Sequence, residues 1–325
     1  MTVQAITLSV VIPVYRAEAT LETLYFQLIE TLPILATDYE IIFVEDGGKD
    51  GSWSVISRLA SANPNVRGLR MSRNYGQHNA LLVGIRAARH DLILTMDDDL
   101  QHPVTEISTL LAELGDNDVV YGAPLKEQHG LLRNLATRLT KIALAEAMGP
   151  ETARSVSAFR VFRTRLRDGF ANYRSPFVSI DVLLTWTTSA FAAVRVKHNP
   201  RTEGVSGYTL RKLIQHAVNL MTGFTTLPLQ LASLVGFAFV LFGLIILGVV
   251  LLNYLIRGGV VPGFASVASL IVIFSGAQLF ALGVIGEYLA RMHFRSMDRP
   301  AYFVAETLGD QNAAPQPLAA MAVVG

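Results

Sequence analysis

Short apolar runs alternate with helical patterns over the first third of the chain. Leu8-Ser9-Val10-Val11-Ile12-Pro13 is a β-branched run stopped by proline and predicts a buried strand. Leu21, Leu24, Leu28 and Leu32 then fall at helical spacing. Glu40-Ile41-Ile42-Phe43-Val44 predicts a second strand, and residues 66–71, 92–97 and 118–122 predict three more. Ser72-Arg73-Asn74-Tyr75-Gly76-Gln77 is a polar loop opening a helix expected to run to about residue 89. Buried strands alternating with helices predict a mostly parallel, doubly wound α/β sheet with helices on both faces. No Gly-x-Gly-x-x-Gly follows the first strand and no Walker A sequence occurs, so neither glycine-rich phosphate device is present.

The pattern changes after residue 208. No Asp, Glu, Lys or Arg occurs from 213 to 256, nor from 258 to 286. Residues 231–256 and 264–289 are each long enough to cross about 30 Å of hydrocarbon as a helix. A buried helical pair in a soluble protein is the alternative. Arg211 and Lys212 precede the first span, Arg291, Arg295 and Arg299 follow the second, and the turn between them offers Arg257. The positive-inside rule then expects both termini and the polar domain in the cytoplasm. Leu210, Leu213, Ile214, Ala217, Leu220 and Met221 repeat at helical spacing opposite Arg211, Lys212, Gln215 and His216. That pattern predicts an amphipathic helix on the membrane surface, although a helix packed on the polar domain would give it too. The expected organisation is a polar domain over 1–208, the amphipathic helix over 209–230, a transmembrane hairpin over 231–290 and a C-terminal segment over 291–325. Beyond about residue 306, Ala, Pro and Gln dominate and disorder is expected. The first nine residues carry no basic stretch ahead of an apolar run, so a cleaved signal peptide is not expected.

Composition sharpens this picture. The chain is 51% hydrophobic and 16% charged, with a mean hydropathy of +0.39, too apolar for an ordinary soluble protein. A net charge of +1 implies no bulk attraction to nucleic acid, and the absence of cysteine excludes disulfides and thiolate metal sites.

The candidate chemistry lies in Leu92-Ile93-Leu94-Thr95-Met96-Asp97-Asp98-Asp99-Leu100-Gln101-His102-Pro103. An apolar strand runs into three carboxylates, and Pro103 follows where a helix can open. Ligands of open α/β sheets bind at the carboxyl ends of strands. Asp97 and Asp99 can converge on a hard cation such as Mg²⁺ or Mn²⁺, which could bridge a diphosphate. Capping of the next helix would explain the same residues. Glu45-Asp46-Gly47-Gly48 after the second strand suits a loop against a base and ribose, or ordinary turn chemistry. His78, His102 and His198 show no common ligand spacing and read as structural.

Four motifs in order, Val10-Val11-Ile12-Pro13-Val14-Tyr15, Val44-Glu45-Asp46-Gly47-Gly48-Lys49-Asp50-Gly51, Arg73-Asn74-Tyr75-Gly76-Gln77 and Asp97-Asp98-Asp99-Leu100-Gln101-His102-Pro103, resemble the family 2 glycosyltransferases of GT-A (Rossmann-like) fold. Arg201-x-x-Gly204-x-Ser206-x-Tyr208, the two spans, Gly286-Glu287-Tyr288 and Arg299-Pro300-x-Tyr302-Phe303-Val304 narrow the resemblance to the polyprenyl-phosphate glycosyltransferases. That group includes dolichol-phosphate mannosyltransferases and the bacterial enzyme that places formamido-arabinose on undecaprenyl phosphate.

The resemblance implies a UDP- or GDP-linked sugar donor, a polyprenyl phosphate acceptor and a location in a bacterial inner membrane. Pro13, Tyr15, Glu45, Asp46, Asn74, Gln77 and Asp98 would line the donor pocket. Asp97 and Asp99 would hold Mg²⁺ or Mn²⁺ with Gln101 beside them, and Arg201, Ser206 and Tyr208 would sit near the lipid phosphate. Relatives often assemble as tetramers, which makes a homo-tetramer an expected partner state, and the sequence adds no oligomer signal of its own. Three departures stand out: Glu45 where Asp is common, Gly207 where lysine is common, and Val156-Ser157-Ala158 ahead of Phe159-Arg160 without the carboxylate proposed as base in some relatives. A phosphomonoester with a second pKa near ~6 is already mostly dianionic and needs little proton abstraction. Cations then matter more, and Arg133, Arg138, Lys141, Arg160, Arg163 and Arg201 are candidates for the acceptor phosphate. Two rival readings remain. A processive polysaccharide synthase would need a Gln-x-x-Arg-Trp that neither Trp53 nor Trp186 provides, and a membrane-tethered nucleotide-sugar sensor would not need metal-dependent chemistry.

Overall fold

The computed structural model describes residues 6–124, 156–199, 227–257, 263–297 and 300–309. They fall into two compact units, one formed by 6–124, 156–199 and 300–309, the other by 227–257 and 263–297.

The first unit is an α/β layer structure. Strands β1 (Thr7–Val14), β2 (Asp38–Glu45), β3 (Val66–Met71) and β4 (Leu92–Thr95) alternate with helices α1 (Glu18–Leu35), α2 (Ser52–Ala62) and α3 (Gln77–Ala87). β1 pairs in parallel with both β2 and β4, and β2 with β3. The cores of β1, β2 and β4 read as apolar runs because helices cover both faces, whereas β3 carries Arg67 and Arg70. Val10, Ile12 and Phe43 pack on one side with Leu21, Leu24 and Leu28 of α1. Val11, Ile42 and Val44 pack on the other with Leu82 and Ile85 of α3. A short 3₁₀ turn, Val104–Glu106, leads into α4 (Ile107–Leu114), with Pro103 just before it.

Beyond these elements β5 (Val119–Pro124) falls where the fifth strand was expected, and β6 (Arg160–Arg163), β7 (Phe191–Val196) and β8 (Val304–Leu308) depart from the sequence pattern. β5, β6 and β7 extend the sheet past β4, with the short helix α5 (Ile180–Thr185) between β6 and β7. β6 runs antiparallel to both β4 and β5. β8 adds antiparallel to β3 at the far edge, giving the order β7-β5-β6-β4-β1-β2-β3-β8. The expected onset of disorder near residue 306 therefore falls inside a strand. Its backbone bonds to the otherwise open edge of β3 account for the order that composition does not reveal.

The second unit holds two long helices, Leu227–Arg257 and Phe264–Ser296. Their stretches Pro228–Asn253 and Ile273–His293 have mean hydropathies of 3.0 and 1.4, long and apolar enough to cross a membrane. Phe239 and Phe274 meet edge to face at 5.6 Å between the helices. Within the described residues the first helix runs from Leu227, so the last four residues of the expected amphipathic segment belong to it, and residues 209–226 lie outside the described residues.

Candidate active site

The loops that follow β1, β2, β3 and β4 meet at one end of the sheet and are bonded to one another. Tyr15 N–H, just past β1, donates to Asp98 Oδ2 at 3.0 Å. Gln77, the first residue of α3, donates its side-chain amide to Asp97 Oδ1 at 2.6 Å. Asp46 accepts the backbone N–H groups of Tyr75 at 2.7 Å and Gly76 at 2.8 Å, tying the loop after β2 to the loop after β3. Gly47 lies between these loops at φ +65°, and a Cβ there would stand 2.4 Å from the backbone of Arg73 and Asn74. Glycine is required on both counts. Arg16 (φ 57°) and Leu100 (φ 61°) also adopt left-handed backbone, a strain that gathers at functional sites.

The acidic loop is held from within. Asp99 Oδ1 accepts the Gln101 N–H at 3.1 Å, and the Asp97 N–H donates to His102 Nδ1 at 3.4 Å. His102 stacks on Phe159 and meets His198 edge to face. Burial and then the neighbouring His198 push His102 down to about 3, so it stays neutral and can accept. Asn199 N–H donates to the Gln101 carbonyl at 2.9 Å, joining the segment after β7 to the same loop.

Burial, reinforced by Asp99 and Asp98, pushes the Asp97 carboxyl up to about 7, while Arg160 and the Gln77 bond pull the other way. Burial likewise lifts Asp46 to about 6 against its two N–H bonds. Beneath the loop, Arg160 is 1% exposed. It is paired with Asp181 and donates Nε–H to Thr95 Oγ1 at 3.0 Å. Tyr121 donates its hydroxyl to Asp181 at 3.1 Å. This buried cluster was not anticipated. The one signal for it was Asp181 standing alone in the apolar run Ile180-Asp181-Val182-Leu183-Leu184.

A cleft of about 610 Å³ opens beside the loops, lined by Tyr15, Arg16, Gly47, Gly48, Lys49, Arg70, Met71, Ser72, Arg73, Asn74, Ala305 and Glu306. Four of these carry positive charge. Of the donor-side candidates, Tyr15 and Asn74 line it, and Gln77 and Asp98 stand at the acidic loop.

The structure places the other three donor-side candidates away from this cleft's lining. Pro13 is buried within β1 and is not among the lining residues. Glu45 is 1% exposed and caps the Gly48 N–H, and Asp46 is 3% exposed with both oxygens engaged, so each braces a loop and neither lines the cleft. The phosphate-binding expectation for Arg160 is likewise replaced by its buried pairing with Asp181. Arg163 pairs with Asp118 at 3.4 Å and belongs to the opposite end of β4, beside Leu92. Arg133, Arg138, Lys141, Arg201, Ser206 and Tyr208 lie outside the described residues.

Comparison with known proteins agrees with this architecture. Residues 9–177 match the family described as Glycosyl transferase family 2. An undecaprenyl-phosphate 4-deoxy-4-formamido-L-arabinose transferase of Pseudomonas fluorescens is 32% identical over 315 residues, covering 95% of this chain and 92% of that one. The protein of the same description from Shewanella sediminis is 33% identical, covering 92% of each. Among solved structures, mannosyl-3-phosphoglycerate synthase from Rubrobacter xylanophilus superposes with a TM-score of 0.50 at 18% identity, over 66% of this chain and 72% of that one, a likeness of fold. With strands, loops and family match in agreement, the chain belongs to glycosyl transferase family 2 and is a glycosyltransferase.

Proposed function

We propose that this glycosyltransferase moves a sugar from a UDP- or GDP-linked donor to a polyprenyl phosphate, undecaprenyl phosphate foremost, with inversion and at the cytoplasmic face of a membrane. The observation that carries the reading is the junction of the acidic loop with a cationic cleft through the Tyr15–Asp98 bond. A nucleoside diphosphate has matching parts: a nucleoside for the cleft, and phosphates for its cations and the neighbouring acidic loop. Full-length similarity to transferases named for undecaprenyl phosphate supports the acceptor.

Asp97 and Asp99 are hard oxygen donors whose mutual repulsion a divalent cation would relieve, so the residues fit Mg²⁺ or Mn²⁺, with Gln101 beside them. Among the described residues no three His, Cys, Asp or Glu side chains converge on one point. When bound, such an ion would neutralise charge on the departing nucleotide. The protein's own contribution is placement. Gln77 orients Asp97, the Tyr15 N–H orients Asp98, and Arg160 offsets negative charge from below. Arg133, Arg138, Lys141, Arg201, Ser206 and Tyr208 remain the proposed contacts of the acceptor phosphate, where guanidinium groups suit bidentate binding. A phosphate dianion attacks without a general base once it is held in line, so positioning and charge neutralisation carry the rate.

The membrane reading rests on the two apolar helices, of which Leu234, Phe237 and Leu244 on the first and Leu279, Phe280 and Leu282 on the second are exposed. Strands on either side of them in sequence, β7 and β8, belong to one sheet. Both flanks of the hairpin are thereby expected on one side of the membrane, and the basic flanks favour the cytoplasm.

Transfer by the purified protein in detergent tests the reading, using undecaprenyl phosphate, labelled nucleotide sugars, and Mn²⁺ or Mg²⁺ against EDTA. A labelled chloroform-soluble product that EDTA abolishes is expected. Product formed equally well in EDTA would remove the metal, and donor turnover without lipid product would remove the acceptor.

A further inference from the structure

The carboxylates expected to read the nucleoside are withdrawn, and another stands at the cleft. Glu306 is the one acid among the twelve residues lining it, and its side chain is 48% exposed. It comes from β8, beyond the apolar helices in sequence, and faces Arg70 of β3 in the antiparallel register. Trp53 Nε1–H donates to Oε2 at 3.1 Å, and Arg70 lies 3.7 Å from the same oxygen. The Arg70 guanidinium also sits over the Trp53 ring and 3.6 Å from Glu45, so the carboxylate is fixed by the sheet, an indole and a shared cation. Both of these contacts fall on Oε2, and Oε1 keeps its acceptor capacity.

We propose that Glu306 is a donor-specificity residue, accepting a hydrogen bond from an N–H or O–H of the nucleoside seated in this cleft. The proposal rests on the cleft being the nucleotide pocket. The chemistry is that of an acceptor in a cationic setting. Arg16, Lys49, Arg70 and Arg73 attract any anion alike, whereas a carboxylate rewards only ligands with a donor at the right place. The donor hydrogen can come from the ribose hydroxyls or from the base edge, and both are met by the same oxygen.

Calorimetric titration of the full-length protein with UDP and with GDP, each with Mn²⁺, tests this on wild type, Glu306→Gln, Glu306→Ala and Trp53→Phe. Glu306→Gln keeps an oxygen for Trp53 and the strand pairing, and is expected to weaken the preferred nucleotide about tenfold or more, as for loss of a charged hydrogen bond. The thermal midpoint and the KM for undecaprenyl phosphate should stay at wild-type values. Titration with 2′,3′-dideoxy-UDP separates the two sources. A ribose partner makes the dideoxy penalty vanish in Glu306→Gln, and a base partner leaves it unchanged. Wild-type affinity in both Glu306 variants would overturn the proposal and leave the cleft reading standing. Equal losses in Trp53→Phe and Glu306→Gln, each with a lowered midpoint, would overturn it in favour of a structural role. No nucleotide binding by wild type would overturn the cleft reading and this proposal with it.

Discussion

Gln77 holds Asp97 through a 2.6 Å amide-to-carboxylate bond that joins the start of α3 to the loop after β4. A hydrogen bond to a charged group contributes about 1.5–3 kcal/mol. Gln77→Leu is therefore expected to lower the thermal midpoint of the metal-free protein and to weaken Mn²⁺-dependent UDP binding at least tenfold by calorimetry. Undiminished binding would show that Asp97 needs no such orientation.

Asp99→Ala, on the reading that this carboxylate meets the metal, should lower sugar transfer at least about a hundredfold, the scale seen when one preorganised electrostatic group is lost from an active site. The check is initial rate at saturating donor, beside a thermal melt showing that the variant folds. Unchanged turnover would remove Asp99 from the metal set.

Asp97 makes two opposite pH trends. Its carboxyl titrates near 7 in the folded protein against an ordinary 3.8, so the unfolded chain gives up this proton first as pH rises. The stability it contributes is fully present below about 4 and is lost as pH climbs through 7, with Asp46, raised to about 6, adding to the same slope. The metal-free protein should accordingly melt at lower temperature at pH 7.5 than at pH 5, and Asp97→Asn should flatten that slope. Cation binding needs the ionised form, so Mn²⁺-dependent UDP affinity should rise from pH 5 to 7 and then level off. Affinity independent of pH over that range would contradict the assignment.

Removing the acid from beneath the loop should cost stability. Asp181→Asn leaves the buried Arg160 without its partner, a loss of about 3–5 kcal/mol in comparable buried pairs. A lowered thermal midpoint of the detergent-solubilised protein is expected. An unchanged midpoint would mean that the pair adds little.

Arg201→Ala should raise the KM for undecaprenyl phosphate while leaving UDP affinity within about twofold, a split readable from transfer kinetics and calorimetry together. Loss of UDP affinity with normal lipid dependence would move Arg201 to the donor side.

The parallel half of the sheet was legible because β1, β2 and β4 carry apolar runs on both faces and alternate with helical patterns. The acidic loop was legible because carboxylates directly follow an apolar strand. β6, β7 and β8 were not. Arg160-Val161-Phe162-Arg163 has charged ends, and Val304-Ala305-Glu306-Thr307-Leu308 reads as a polar tail until β3 offers it an edge. The loop contacts of Glu45 and Asp46 were not legible for a related reason. Whether an acid after a strand faces a ligand or caps a neighbouring loop depends on what the rest of the chain brings alongside it. The pairs Arg160–Asp181 and His102–His198 join positions 21 and 96 residues apart, beyond the reach of any local pattern.

The place of β8 in the sheet has a consequence for biosynthesis. A ribosome delivers the chain from its N-terminus at roughly 5–20 residues per second. β1 to β7 emerge before the apolar helices, and β8 emerges after them. Until then the β3 edge is bare, open to pairing with the wrong strand, and the cleft lacks Ala305 and Glu306. The last wall of the cleft is thus laid down only once both apolar helices have been synthesised, so a nascent chain completes this cleft no earlier than those helices.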